Sequence, residues 1–239
     1  DLILLDDNFS TIVDTIKDGR RIYDNIKKAV GYVFTIHIPI AFASLLAPFM
    51  GISPTSLLLL PLHVVLLELV IDPTCSIVLE RQPAESNIMQ RPPRNPKEKL
   101  LTAAMLSKSV MQGLVIFGAS FATYYHFINM YPENAPLART MGLSIIFLSN
   151  VLLVQVNSSN TEFAFRTFIR QIKDKVMWGV IIGTLAGLLI MLYTPLSGFL
   201  KLAPLSSEQL LLSAGISCIA VLWYELVKLF RKVIFKQEA

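Results

Sequence analysis

The sequence predicts an all-α integral membrane protein: a six-transmembrane-helix bundle with a short cytoplasmic N-terminal strand-turn-helix stalk. Three observations predict it. Hydrophobic residues make up 54% of the 239-residue chain and charged residues only 16%, against about 25% charged in soluble domains. Mean hydropathy is +0.58. The apolar residues gather into six runs, at about 29–51, 56–79, 105–129, 140–157, 176–195 and 207–229. Each run is near the ~20 residues that cross ~30 Å of hydrocarbon at 1.5 Å per residue. A segment in hydrocarbon must satisfy its backbone hydrogen bonds internally, so each run reads as a helix.

The first 28 residues differ in kind. Residues 1–5 (Asp-Leu-Ile-Leu-Leu) read as a buried strand, and Asp6-Asp7-Asn8 as a turn. Over residues 10–28, Ile12, Val13, Ile16, Ile22, Tyr23 and Ile26 recur at helical spacing, with Ser10 a candidate N-cap. No Gly or Pro interrupts residues 20–30. The stalk is therefore expected to continue unbroken into the first span and to carry motion into the bilayer.

Basic residues set the expected topology. With a cytoplasmic N-terminus, that side holds Lys17, Arg20, Arg21, Lys27 and Lys28, then Arg81, Arg91, Arg94, Lys97 and Lys99. It also holds Arg166, Arg170, Lys173, Lys175, Lys228, Arg231, Lys232 and Lys236, in all 18 of the 21 Lys and Arg. Only Arg139 and Lys201 fall outside, and Lys108 sits near the inner end of the third span. The positive-inside rule selects this orientation, with both termini cytoplasmic. The net charge of +4 thus follows from topology. No basic–aromatic groove pattern accompanies it, so nucleic acid is not an expected partner.

The loop 81–99 carries Pro83, Pro92, Pro93 and Pro96, so it is expected to be stiff, irregular and laid against a cytoplasmic surface. Two glycosylation sequons, at Asn8 and Asn157, fall on the cytoplasmic side and read as chance. Cys75 and Cys218 both lie within spans, which excludes a disulfide framework. A chain that opens on Asp1 without a signal peptide reads as part of something longer.

Buried charge is the sharpest chemical signal. The second span contains Glu68 and Asp72, spaced i,i+4 and so on one helix face. A mid-span acid costs roughly 2.5–3.5 kcal/mol on translocon scales, and such acids mark ion pathways. The functional reading is cation coordination; the bland one is a structural hydrogen-bonded pair. Pro73 removes a backbone donor and clashes with the carbonyl of Leu69. A kink there would free carbonyl oxygens, which hard cations favour alongside carboxylates. His37 lies about eight residues into the first span, at a height similar to Asp72. It reads either as a ligand or proton carrier, or as a neutral histidine bonded to a backbone carbonyl. Asn150 and Gln155 in the fourth span either line the pathway or bridge helices. Glu225 and Lys228 read as an interfacial ion pair, and Trp178 and Trp223 as an aromatic belt. No Cys-Pro-Cys pair accompanies Cys75, which argues against a soft-metal site.

Residues 5–13 (Leu-Asp-Asp-Asn-Phe-Ser-Thr-Ile-Val), 19–25 (Gly-Arg-Arg-Ile-Tyr-Asp-Asn) and 87–94 (Asn-Ile-Met-Gln-Arg-Pro-Pro-Arg) resemble the type-II P-type cation-transporting ATPases. They look like the end of the phosphorylation domain, the stalk, and the loop between that family's sixth and seventh helices. The resemblance implies that the six spans are helices five to ten. It implies domains at 1–28 (end of the phosphorylation domain and stalk), 29–230 (transport domain) and 231–239 (cytoplasmic tail). In calcium pumps of this family an Asn-Leu-Val-Thr-Asp stretch supplies ligands; here it reads Glu68-Leu69-Val70-Ile71-Asp72. The family's fifth-helix Asn falls on His37 and its Glu on Ile40, so a two-calcium site is not intact and a single-ion site is implied.

The implied metal ligands are Glu68, Asp72, His37 and Asn150, for Ca or another hard cation. No cofactor is expected within these residues, which lack Asp-Lys-Thr-Gly and Thr-Gly-Glu. ATP and Mg are implied for the full-length pump. The expected partners are the transported cation, the lipid bilayer and an N-terminal half, in a plasma (inner) membrane. The alternatives are a six-helix passive channel, a secondary transporter, or a non-catalytic membrane subunit.

Overall fold

The computed structural model describes residues 8–94, 99–160 and 162–234. The expected strand at 1–5 and most of the turn after it lie outside these residues. Among the described residues every regular element is helical.

α1 (Phe9–Phe49) is a single helix of 41 residues, about 61 Å long at 1.5 Å per residue. That is twice the thickness of a hydrocarbon core, so one half spans and the other projects as a stalk. The unbroken stalk-to-span helix is thus present. Its cap is Asn8 and not Ser10: Asn8 Oδ1 accepts from the Ser10 amide at 3.0 Å. The far end closes on Gly51, at φ +66°. There the Gly51 amide donates to Pro48 O and the Ile52 amide to Ala47 O, both at 3.1 Å. This is the paired closure that a left-handed glycine permits.

The second span departs from expectation. Its helix begins at Pro61, not near residue 56, because the fixed φ and absent amide hydrogen of proline suit the first helical position. α2 (Pro61–Pro73) then gives way to π-helical turns over Thr74–Leu79. Pro73 has no hydrogen to give the Leu69 carbonyl, and the ladder changes pitch there. α3 (Ala103–Met130), α4 (Ala135–Asn157), α6 (Lys175–Tyr193) and α8 (Ser207–Ile234) are long helices. Together with α1 they make five helices, among the described residues, that are long and apolar enough to cross a membrane; at the expected second span the apolar helix, Pro61–Ile71, is shorter. Two short helices were not foreseen: α5 (Ala164–Gln171) and α7 (Leu196–Phe199).

α4 is the axis of the bundle. It packs mainly on α3 and α8, and also touches α1, α5, α6 and the π segment. Small residues let the helices close in, as expected where lipid supplies no hydrophobic drive between them. A Cβ on Gly113 of α3 would lie 2.6 Å from the Thr35 carbonyl of α1. One on Gly142 of α4 would lie 2.4 Å from Leu58. Hydroxyls sew the same seams: Ser109 donates to Gly31 O (2.9 Å), Ser120 to Gly142 O (2.8 Å) and Ser217 to Ile145 O (3.2 Å).

The two ends of the bundle are clasped differently. At the stalk end, the proline-rich loop lies along α1. Asn25 donates to the carbonyls of Glu80 and Gln82, and Arg20 to those of Ile88 and Arg91. Arg91 bridges Asp24 at 2.6 Å and Glu85 at 3.0 Å, while Lys28 reaches Glu85 at 3.2 Å. At the far end, Arg139 is 1% exposed and fills a socket of carbonyls. It donates to Leu57 O (2.8 Å), Thr55 O (2.7 Å) and Lys201 O (2.6 Å).

Candidate functional site

Of the four residues singled out as ligands, the structure brings two together. His37 sits on α1 and Glu68 on α2, and His37 Nε2 lies 3.0 Å from Glu68 Oε1. His37 Nδ1 lies 2.8 Å from the carbonyl of Val33, one turn back. Both ring nitrogens therefore face acceptors. A carbonyl cannot donate, so Nδ1 carries a hydrogen. His37 thus bonds a backbone carbonyl and also meets a carboxylate.

Asp72 belongs to α2, one turn beyond Glu68 and immediately before Pro73. Its side chain lies outside the described residues, as does that of Cys75. Among the described residues no group of three His, Cys, Asp or Glu side chains converges to hold a metal ion.

Asn150 makes its contact elsewhere on α1. Its Oδ1 accepts from the Tyr32 hydroxyl, and its Nδ2 is buried without a hydrogen-bond partner. Tyr32 and Asn150 are 0% and 1% exposed, so this contact is deep in the α1–α4 seam. Tyr32 precedes His37 by five residues, about 140° around the helix and ~7.5 Å along it. Gln155 donates to Met177 Sδ at 3.6 Å, which bridges α4 and α6. Ile40, at the position of the absent carboxylate, is buried in the apolar core.

The sequence reading missed His63. It is fully buried; Nδ1 accepts from the Leu60 amide at 3.2 Å and Nε2 lies 2.8 Å from Leu200 O. With Nδ1 accepting, Nε2 carries the hydrogen, and this neutral ring pins the start of the broken span to the α7 loop. Glu85 was missed as well, because a glutamate in a polar loop carries no periodic signal. The Glu225–Lys228 pair is formed at 2.9 Å, but it is not merely interfacial. Lys228 is buried and donates to Val156 O at 2.6 Å, and Glu225 takes the Ala164 amide at the start of α5.

A multi-pass helical bundle whose second span breaks beside ionisable groups has the build of a membrane transport domain. The chain belongs to the cation-transporting ATPases: the family described as "Cation transporting ATPase, C-terminus" matches residues 56–230. It is 28% identical over 195 residues to a calcium-transporting ATPase of Bacillus subtilis (strain 168), covering 81% of this chain and 21% of that protein. It is 27% identical over 243 residues to calcium-transporting ATPase type 2C member 2 of Rattus norvegicus, covering 100% and 25%. It is 36% identical over 171 residues to the sodium/potassium-transporting ATPase subunit alpha of Drosophila melanogaster, covering 70% and 16%. The chain thus spans about a quarter or less of the length of these relatives.

Proposed function

We propose that this chain is the transport domain of an ATP-driven cation pump, with the transported cation bound between its first two spans. The observation that carries the reading is the His37–Glu68 pair, which joins the spans one turn from Asp72 and the break at Pro73. Glu68 and Asp72 supply carboxylate oxygens, and the carbonyl that Pro73 leaves without its usual donor supplies a neutral one. Asn150 contributes from the adjoining α1–α4 seam. A cation that takes Glu68 breaks its contact with His37, and His37 then serves as a proton relay.

The pair also bears on the missing partner. The His37 and Glu68 side chains are 44% and 37% accessible, on the surface of a bundle that faces hydrocarbon. Leaving ionisable groups there is costly, and an N-terminal half with further helices would cover them. ATP and Mg act in that half, whose phosphoryl transfer the stalk conveys to the spans. The test is phosphoenzyme formation from ATP by the full-length pump as cation concentration rises. Glu68→Gln is expected to move the half-maximal cation concentration up about tenfold, a loss of ~1.4 kcal/mol. An unmoved curve removes Glu68 from the site.

Topology is tested separately. With the stalk on the cytoplasmic side, reporter fusions after Glu133 and Lys201 are expected to read external, and those after Arg94 and Lys173 internal. A cytoplasmic reading at Glu133 overturns the six-span assignment.

The stalk is proposed as the coupling element, and its registration supports this. Two glycines inserted between Asn25 and Ile26 rotate everything beyond by about 200° and weaken the helix by about 1 kcal/mol each. Asn25 and Lys28 then no longer share one face against the 80–91 loop. Cations transported per ATP are expected to fall toward zero while hydrolysis persists. An unchanged ratio shows that this helix does not couple.

A further inference from the structure

The far end of the bundle holds a titratable group that the cation site does not use. His63 is the third residue of α2 and is fully buried. Its Nδ1 accepts from the amide of Leu60, the residue that caps this helix, at 3.2 Å. Glutamate or glutamine takes this place in a capping box, reaching back to the amide at the cap. On the other side of the ring, Nε2 donates to Leu200 O at 2.8 Å, across to the α7 loop. One side chain thus closes the first turn of α2 and ties it to a segment 137 residues away in the chain.

This pair of bonds needs the neutral ring. A protonated imidazole carries a hydrogen on each nitrogen and has no acceptor left, so Nδ1 then opposes the Leu60 amide it had received. Nothing offsets the new charge. Among the described residues no carboxylate bonds the ring, and the charged group that acts on it is the Arg139 guanidinium of α4. Tyr124 of α3 gives its hydroxyl to Ser56 O. Lys201 of the α7 loop has an exposed side chain and lends Arg139 its carbonyl. On α2 itself the first carboxylate is Glu68, which His37 engages. A buried charge without a counter-charge is costly, so proton uptake and closure of this end oppose one another.

We propose that His63 is an acid-sensitive latch: a proton on its ring frees the start of α2 from the α7 loop. Under the topology proposed above this end faces outward, so external acid loosens the span that carries Glu68 and Asp72. The latch itself does not rest on the cation reading, since no residue of that site takes part in it. The test is hydrogen exchange, read by mass spectrometry on the full-length pump in detergent at about pH 7.5 and about pH 5.5, corrected for intrinsic exchange. Peptides covering 55–63 and 197–205 are expected to exchange about tenfold faster at the lower pH. His63→Gln, whose amide can make both bonds without titrating, should hold both segments at the slow rate at either pH. His126→Gln, at an exposed ring on α3, should keep the wild-type response. Where His63→Gln fails to fold, the midpoint of the wild-type response decides. A midpoint between about 5 and 6.5 supports the latch, and one near about 4 assigns the response to carboxylates such as Glu133 and Glu208 and overturns it. Equal exchange at both pH values in the wild type, a response that survives in His63→Gln, or one that is lost in His126→Gln overturns the proposal as well.

Discussion

Asp72→Asn in the full-length pump is expected to abolish cation-dependent phosphorylation while the protein remains inserted and folded. Asparagine keeps the volume of the side chain and one of its oxygens. What it removes is the negative charge that offsets the cost of stripping water from a cation in a low-dielectric site. Folding should survive, because a neutral amide at mid-span is less costly than a carboxylate. The effect should exceed that of Glu68→Gln, whose carboxylate is already engaged by His37. His37→Ala should have the smallest effect on affinity, and it should shift the pH dependence of transport if the ring relays the proton. The order is the sharper claim: Asp72 first, Glu68 second, His37 third. Normal transport by the Asp72→Asn variant would make these carboxylates structural, leaving family membership as the only support for a pump.

The second large effect is expected at Arg139, and on stability. Its guanidinium joins the loop between α1 and α2, through Thr55 and Leu57, to the α7 loop, through Lys201. Lys201 is held at φ +52°, a left-handed conformation that disfavours a side chain. Nearby bonds repeat the tie: Tyr124 donates to Ser56 O, and the Ala203 amide donates to Thr140 Oγ1 at 2.9 Å. Arg139→Ala strands three carbonyls at about 1–3 kcal/mol each and leaves a void under both loops. Thermal unfolding in detergent, followed by near-ultraviolet circular dichroism, is expected to show a far lower midpoint. Arg139→Lys should recover only part of the loss, because a single ammonium lacks the planar fork that reaches three oxygens. A wild-type midpoint for the alanine variant would show that the loops are held by packing alone.

The sequence could be read this far because membrane spans are governed by composition. Apolar runs of about 20 residues have few alternatives to a helix, and no Gly or Pro stood in the way of a continuous α1. Prolines told less than they promised. Pro73 marked a break, yet nothing local specified that the turns beyond it would be π-helical. Pro39 and Pro48 lie inside α1, which continues through both. The second span was drawn too long because Leu57 to Leu60 are apolar; Leu58 and Leu59 are buried as loop near Arg139 and not as helix.

What the sequence determined by itself was the class: a multi-pass helical bundle, its long stalk, its family, and Glu68, Asp72 and His37 among the ionisable groups in its first two spans. Each depends on residue type and on spacing along one helix, which chain chemistry fixes. Pairings between helices were decided only by the tertiary structure. His37 could equally have pointed away from Glu68, Asn150 could have met Glu68 instead of Tyr32, and Arg139 read as a loop charge and not as the bolt of the far end. These choices turn on how each helix is rotated and how closely it approaches its neighbours. Gly113 and Gly142 set that approach through side chains they lack, and a periodicity of apolar residues in lipid, where every face can be apolar, does not encode it.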